Sequence, residues 1–207
     1  MGHMFLKGQD VTRKGERTRR FILERAAHLF NTKGYSQTSL LDIMDATGLS
    51  KGTIYGRFED KTQLALAAFD YNLKLMVSRI DSEMDKCTTV REKMIVYVRL
   101  YNMFWKPGGG CPILNVMQEG DDSSPMLKEK LKWAVGRWKK KLVGLLETGI
   151  QVKEFHSSID AEQIATAFIA LLEGAVMLNK TLDDVKTSTL ITGYVEKMVA
   201  DIPAGLA

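Results

Sequence analysis

The stretch LSKGTIYGRFEDK, residues 49–61, places Ser50 and Gly52 at the start of a predicted short helix that runs through Arg57. Glycine lowers helix stability by about 1 kcal/mol relative to alanine, so this glycine suggests that a partner approaches the backbone closely. Ser50 is well placed to cap the helix, which leaves N–H groups of the first turn for a phosphate or a base-edge acceptor. The alternative is that Gly52 is only tolerated at a helix start and that Tyr55 simply packs.

Two further helices are predicted before this one. The first spans Arg17 to Lys33, ends at Gly34 in the position of a left-handed cap, and carries four apolar residues on one face: Ile22, Ala26, Leu29 and Phe30. Ser39 and Asp42 have the spacing of a capping box and open a short second helix. Gly48 then breaks the pattern, because glycine takes a positive φ without steric cost. Two short helices joined by a tight glycine turn predict a helix-turn-helix unit.

The positive charge of the 207-residue chain is located at its amino end. Residues 1–61 hold 11 Lys/Arg against 7 Asp/Glu, whereas residues 62–207 hold 18 of each, and the net charge is +4. Five cations crowd into residues 11–20: Arg13, Lys14, Arg17, Arg19 and Arg20. Such a cluster suits a polyanion such as DNA, and the alternative is a solvated charged helix end.

The composition predicts a globular, cytoplasmic protein, and the sequence contains no catalytic motif. An apolar content of 45% is enough for a substantial core, and no apolar run approaches the roughly 20 residues needed to cross a bilayer. Only Cys87 and Cys111 are present, which fits a reducing compartment. The opening MGHM resembles an expression tag, and the histidines have no metal-ligand spacing, so we predict no metal, cofactor or catalytic residue. A small enzyme using Cys111 with a histidine is the alternative outside binding proteins, although a buried thiol is the favoured interpretation.

Residues 18–64 read TRRFILERAAHLFNTKGYSQTSLLDIMDATGLSKGTIYGRFEDKTQL. The ordered motifs are A-x-x-L-F in the first helix, K-G-Y after it, T-S-L-x-D-I into the second, G-L-S-K-G-T-I-Y, and then F-x-x-K. This series resembles the DNA-binding domain of the TetR family of bacterial transcriptional regulators. The resemblance implies an all-helical homodimer whose amino-terminal domain binds double-stranded operator DNA and whose larger domain binds a small-molecule inducer.

The resemblance also implies DNA-binding roles for individual residues. Phosphate contacts would fall to Thr38, Ser39, Tyr55 and Lys61. Base edges would be approached by residues in and just after the first turn of the third helix, which Ser50 caps: Lys51, Gly52, Thr53 and Arg57. Gly56 departs from the family, whose tyrosine or histidine at this position often touches DNA, so neighbouring side chains would read the groove instead. Arg57 is less usual than histidine, and a guanidinium can contact either guanine or phosphate.

The rest of the chain, beyond a connecting helix that starts near Lys61, would be the effector domain. KPGGGCP (106–112) and GDDSSP (120–125) interrupt its helical pattern, whereas WKKKL (138–142) predicts a solvated helix face. Large apolar side chains are candidates for lining a ligand pocket: Phe104, Trp105, Met117, Trp133, Trp138 and Met177. The alternative for each of them is ordinary core packing.

A dimer interface is predicted in the last two helices. Residues 161–178, AEQIATAFIALLEGAVML, are apolar almost all round, and LITGYVEKMV (190–199) carries an apolar stripe. A helix that is apolar on every side must be buried on every side, so a second copy would cover part of it. The interface residues would be Phe168, Ala170, Leu171, Gly174, Leu178, Ile191, Tyr194 and Met198. The alternative is that both helices pack wholly within one subunit.

The sequence thus predicts an all-α protein in three parts. Residues 1–12 would be a tag or disordered arm, residues 13–60 the three-helix DNA-binding domain, and residues 61–207 the larger domain for effector binding and dimerisation. The predicted function is a ligand-responsive repressor that a small-molecule inducer releases from its operator. The alternatives within the same fold are an activator and a regulator without a ligand.

Overall fold

The computed structural model describes residues 4–103, 109–117 and 125–205. The elements in those ranges are α1 (Met4–Lys33), α2 (Leu40–Thr47), α3 (Lys51–Tyr55), α4 (Lys61–Met84), α5 (Val90–Met103), α6 (Pro112–Met117), α7 (Pro125–Gln151), α8 (Ala161–Leu182) and α9 (Val185–Ala200). Strands are absent from the described ranges, so the predicted all-α class is confirmed.

A small amino-terminal core joins α1, α2 and α3 to the first turns of α4. Its buried members are Ile22, Ala26, Ala27, Phe30, Ile43, Ile54, Phe58, Leu64, Ala65 and Ala68. Ile54 is the buried residue of α3, so this short helix is held against the domain by one side chain and the cap at each end. Burying a residue of this size stabilises by about 1.5–3 kcal/mol.

The predicted capping signals at the turn are present. Ser39 Oγ accepts the N–H of Asp42, and the carboxylate of Asp42 accepts the N–H of Ser39 at 2.8 Å, which closes a capping box at the start of α2. Gly48 ends α2 with φ of +67°, and Ser50 caps α3 from an extended conformation. The helix-turn-helix therefore follows from local hydrogen bonds that the sequence specifies.

Two helix boundaries differ from the prediction. α1 begins at Met4 rather than near Arg17, so residues 4–12, expected to be a disordered arm, continue the helix. The segment contains no proline, and its leucine, lysine and glutamine are good helix formers. α3 ends at Tyr55 rather than Arg57, because Gly56 closes the helix with an N–H bond to the Gly52 carbonyl at 2.9 Å.

The larger domain is built from α4 to α9 around a second core. The most deeply buried large side chains come from five elements and the loop after α7: Ile80, Met94, Leu142, Leu146, Phe155, Phe168 and Val195. α8 and α9 pack side by side against α5 and α7. α4 belongs to both cores, since Leu64 lies in the first and Ile80 in the second.

α8 is long and apolar enough to cross a membrane by length and composition alone. This differs from the expectation that no segment approached that length. Phe168 and Leu172 on α8 pack into the core of the larger domain and are no more than 1% exposed. A core helix passes the same length and composition test, so the observation does not by itself indicate a membrane.

Candidate nucleic-acid interface and effector cavity

The first turn of α3 is open to solvent. Ser50 Oγ accepts the N–H of Thr53 at 3.3 Å, and Lys51, Gly52 and Thr53 are all exposed. A Cβ built on Gly52 meets no atom within 4 Å, so packing within the described chain does not require glycine there. Any steric demand for this glycine comes from a partner outside the chain.

The start of α4 and the turn after α1 together present a polar surface beside the helix-turn-helix. Lys61 Nζ lies 4.5 Å from the centre of the Tyr35 ring, and the Tyr35 hydroxyl lies 3.2 Å from Thr62 Oγ1. Tyr55 is half-buried and Ser39 is exposed. These residues retain the access that phosphate contacts require. Tyr35 was missed as a member of this surface, and its signal was the K-G-Y motif.

Thr38 does not join that surface. It is fully buried, and its hydroxyl donates to the Gly34 carbonyl at 2.6 Å. The predicted phosphate contact of its side chain is therefore wrong, because the hydroxyl closes the turn between α1 and α2. Sequence spacing does not reveal this, since the partner is a backbone carbonyl of the turn itself.

Arg57 lies against α1. A Cβ built on Gly15, a buried glycine of α1, would be 3.0 Å from Arg57 Nη1. Arg19 in turn places its guanidinium carbon 4.6 Å from the centre of the Phe58 ring. In this conformation Arg57 extends the basic surface of α1, so its contact with a base stays a prediction.

The predicted cluster of cations lies on α1. All five of those predicted are exposed: Arg13, Lys14, Arg17, Arg19 and Arg20. Arg20 pairs with Glu24 at 2.8 Å, which is an exposed pair of small energetic value. Gly15 lies against Arg57 and Arg19 lies over the Phe58 ring, so this basic face is beside the segment that follows α3. There it can attract a phosphate backbone at long range.

A cavity of about 470 Å³ lies between α4 and α7 in the larger domain. α5 contributes Tyr97 to its wall and α6 contributes Ile113. The remaining wall comes from α4, with Asp70, Leu73, Lys74, Met76, Val77, Ser78, Ile80 and Asp81, and from α7, with Trp133, Ala134, Arg137, Trp138 and Lys141. The volume falls in the range of small-molecule sites, roughly 300–1,000 Å³.

The predicted ligand residues divide into three groups. Trp133 and Trp138 lie on the cavity wall. Met117 and Met177 do not line it, and they are 55% and 43% exposed at the end of α6 and on α8. The structure therefore does not bring these two side chains together with the tryptophans, and their contact with a ligand stays a prediction. Phe104 and Trp105 lie outside the described residues.

Charged side chains surround the cavity in pairs. Asp70 pairs with Lys130 at 2.7 Å, and Asp81 pairs with Lys141. The WKKKL segment is therefore a solvated face only in part, since Trp138 is buried and Lys141 reaches across to α4. These pairs were not predicted, because each joins residues about 60 positions apart in the sequence.

Behind the cavity wall, aromatic stacking leads to a buried carboxyl. The Trp138 and Tyr101 rings stack with centres 5.2 Å apart, and the Tyr101 hydroxyl donates to Glu173 Oε1 at 2.7 Å. Cys111 Sγ donates to the same oxygen at 3.0 Å. Burial raises the pKa of Glu173 and also that of the Cys111 thiol. A fully buried thiol with a raised pKa is unreactive, which supports the structural interpretation of Cys111.

A hydrogen-bonded junction then connects α6 to the DNA-binding domain. Asn115 is buried, and its Nδ2 donates to the Asn31 carbonyl at 2.9 Å and to the Gly109 carbonyl at 2.7 Å. Asn31 Nδ2 donates back to the Gly110 carbonyl at 3.1 Å, and Lys180 Nζ donates to Asn115 Oδ1 at 3.0 Å. The junction thus joins α1, α6 and α8.

α8 and α9 leave an apolar face on the surface. Exposed members include Ala170, Met177, Leu190 and Tyr194, while Leu171, Gly174, Leu178, Ile191 and Met198 are half-buried. Phe168 is the exception, because it is fully buried and meets the Tyr97 ring edge-on at 5.8 Å. Its predicted place in the interface is wrong, since it faces the core of its own subunit. We call the rest of this surface the α8–α9 face.

The helix-turn-helix, the basic residues of α1 and the cavity of the larger domain together are typical of a helical DNA-binding regulator. The profile described as "Bacterial regulatory proteins, tetR family" matches residues 22–68, and "Tetracyclin repressor-like, C-terminal domain" matches residues 92–193. The chain belongs to the TetR family of transcriptional regulators.

Individual relatives support the same assignment. A TetR-family regulator of known structure from Cytophaga hutchinsonii is 39% identical with a TM-score of 0.85, covering 92% of this chain and 96% of its own. A second, from Chloroflexus aurantiacus, is 36% identical with a TM-score of 0.86, covering 94% and 100%. An uncharacterised HTH-type regulator in the lacX 3′ region of Lactococcus lactis subsp. lactis is 28% identical over 173 residues, covering 81% of this chain and 85% of its own.

Proposed function

We propose that this regulator is a cytoplasmic, homodimeric repressor that a small-molecule inducer releases from its operator. Residues 13–60 serve as the DNA-binding domain, and residues 61–207 bind the effector and dimerise. The mechanism needs binding energy and no catalysis. Without inducer, two copies of α3 enter successive major grooves about 34–36 Å apart. The inducer favours a state in which that spacing is lost.

The observation that carries this proposal is that one continuous helix, α4, both begins beside the helix-turn-helix and lines the cavity. Its first residue, Lys61, lies beside the helix-turn-helix with its Nζ 4.5 Å from the centre of the Tyr35 ring, and residues of the same helix between Asp70 and Asp81 line the cavity. Lys61 and Lys74 are 13 positions apart, which is about 20 Å along one continuous helix. A ligand that changes the position of α4 relative to α7, to which the Asp70–Lys130 and Asp81–Lys141 pairs join it, would therefore also move the end of α4 beside the helix-turn-helix.

The Asn115 junction supports a second connection between the domains. Tyr101 and Cys111 bind Glu173 beside the cavity wall, and Cys111 directly precedes α6, which carries Asn115 to the Asn31 carbonyl. Packed cores respond to a ligand by switching between discrete arrangements rather than by bending. A shift of α6 would therefore reach α1 through a small number of specific hydrogen bonds.

The proposed dimer contact is the α8–α9 face. A contiguous apolar surface on a soluble regulator marks an interaction site, and a two-fold contact would form a four-helix interface from two copies of α8 and α9. We propose a second copy of this chain as the occupant, because it also provides the second α3 that a two-fold operator requires. We infer from this that the face is covered by protein rather than by lipid.

The function is tested by binding and transcription with the full chain. The protein is incubated with fragmented genomic DNA, retained fragments are sequenced, and transcription from a retained promoter is measured. We expect the protein to retain a small set of fragments and to reduce transcription from the promoters they carry. Increased transcription would identify an activator, and no retained fragment would contradict the proposal.

Coupling between cavity and DNA is tested without knowing the ligand. Ala134 is buried on the cavity wall, so Ala134→Phe partly fills the cavity and should change operator affinity several-fold. Val135→Phe is the matched control, because Val135 is exposed on the same helix and is not on the wall. Equal operator affinity of both variants and the parent would favour a regulator without a ligand.

A further inference from the structure

We propose that the cavity between α4 and α7 selects an organic anion with a flat apolar body. This inference rests on the function proposed above and adds the chemical class of the effector. It is based on two lining cations that pair with no carboxylate in the described ranges, and on the buried aromatic and aliphatic side chains that form the floor of the cavity.

The floor of the cavity is apolar and well packed. Met76 and Ile80 of α4 face Trp138 of α7, and Tyr97 and Ile113 complete the floor. All five are between 1% and 8% exposed. Two of them have aromatic rings, and offset or edge-on contacts with such rings favour a flat partner. The apolar body of a ligand would therefore lie against this floor.

The cavity has a net positive charge, because each carboxylate on its wall is paired with a lysine and further lining cations remain. Asp70 and Asp81 line it, but Lys130 and Lys141 already pair with them. Two more lining cations remain, Lys74 and Arg137. Both are exposed, and neither pairs with a carboxylate within the ranges that the structure describes. Their position at the wall leaves two positive charges for the polar end of a ligand.

An organic cation is the competing class, because acids and tryptophans also recognise cations. Here those groups are occupied. Lys130 Nζ lies 4.8 Å and the Arg137 guanidinium carbon 5.3 Å from the centre of the Trp133 ring, and both acids are paired. A ligand cation would have to displace a lysine and would then face Lys74 and Arg137 as like charges. An anion keeps every existing pair and adds new ones.

The test compares two fluorescent probes that differ by one sulfonate group. 8-Anilinonaphthalene-1-sulfonate carries a sulfonate on the same two-ring and phenylamine body as uncharged N-phenyl-1-naphthylamine. Titration of the full chain should give a Kd for the sulfonate about tenfold lower, which corresponds to about 1.4 kcal/mol. Arg137→Gln and Lys74→Gln should each weaken sulfonate binding several-fold and leave binding of the neutral probe unchanged.

Two further variants assign the signal to the cavity. Lys140→Gln removes the same charge from the exposed side of α7 and should leave both probes unaffected. Ala134→Phe should weaken both probes, because it occupies the space that their shared body needs. If Ala134→Phe does not fold, as judged by circular dichroism, Ile113→Phe replaces it.

Several results would overturn the anion proposal. They are equal affinity for the two probes, no saturable binding of the sulfonate, equal effects of Lys140→Gln and Arg137→Gln, or tighter binding of a naphthylmethylammonium probe. These outcomes leave the regulator function standing if the chain still retains specific genomic fragments. If the chain retains no genomic fragment, the proposed repressor function is contradicted. The comparison of the two probes would still show whether the cavity prefers an anion.

Discussion

Replacing Gly52 with alanine should separate folding from function. The new methyl group meets nothing within 4 Å inside the described chain, and α3 is capped independently by Ser50. Alanine is favoured over glycine in a helix by up to about 1 kcal/mol, so the melting temperature should stay equal or rise by about 2–4 °C. DNA binding should weaken, because the methyl group lies between the α3 backbone and the groove.

The expected loss follows from the two-fold arrangement. A loss of about 0.7 kcal/mol at each α3 amounts to about 1.4 kcal/mol per dimer, or a tenfold weaker operator complex. Fluorescence anisotropy with a labelled operator at one fixed salt concentration measures it, and Gly52→Val should lose more. Gly136→Ala is the control, since a Cβ there also meets nothing within 4 Å and Gly136 lies on α7, away from α3. Equal affinity for parent, Gly52→Ala and Gly136→Ala would refute the close approach of DNA to Gly52.

Lys61→Ala should weaken binding to all DNA sequences alike and reduce the slope of log affinity against log salt concentration by about one unit per protomer. Anisotropy over a salt series measures this slope, and an unchanged slope would show that Lys61 does not contact DNA. Tyr55→Phe should also weaken specific and nonspecific DNA equally, because phosphate contacts position the protein without reading sequence. Ala170→Arg should place an unpaired charge in the α8–α9 face and give monomers in sedimentation, whereas the exposed Val152→Arg should remain dimeric; an intact Ala170→Arg dimer would move the contact elsewhere. Burial raises the pKa of Glu173 in the folded protein above the unfolded value of about 4.3, so the protonated carboxyl favours folding. This contribution to the free energy of unfolding is lost as the pH rises from about 4.3 through the folded-state pKa. Glu173→Gln should therefore flatten the pH dependence of Tm across that window, and an unchanged profile would show that the carboxyl does not titrate there.

Local signals in the sequence predicted the helix-turn-helix well. The capping box of Ser39 and Asp42, the positive φ of Gly48 and the cap at Ser50 each depend on residues within four positions of one another. Such contacts join neighbouring residues, so the sequence spacing alone can indicate them. Gly34 likewise ends α1 with φ of +90°.

Contacts between distant segments were not predictable in the same way. Phe168 and Ala170 lie two positions apart in one apolar segment, yet Phe168 meets Tyr97 in the core while Ala170 is exposed. The apolar pattern identifies a buried helix but does not say which face meets its own subunit. The cavity shows the same limit, because Lys141 is one of three consecutive lysines and only the fold brings it to Asp81.

In the proposed complex, a dimer of this chain places two copies of α3 in successive major grooves of one operator. A hydroxyl-radical footprint on a retained genomic fragment tests this most directly. We expect two patches of protection on one face of the duplex, with centres one helical turn of about 10–10.5 base pairs or a multiple apart. Both patches should be lost in Gly52→Val. A single protected patch, or a pair of patches that Gly52→Val leaves intact, would contradict it.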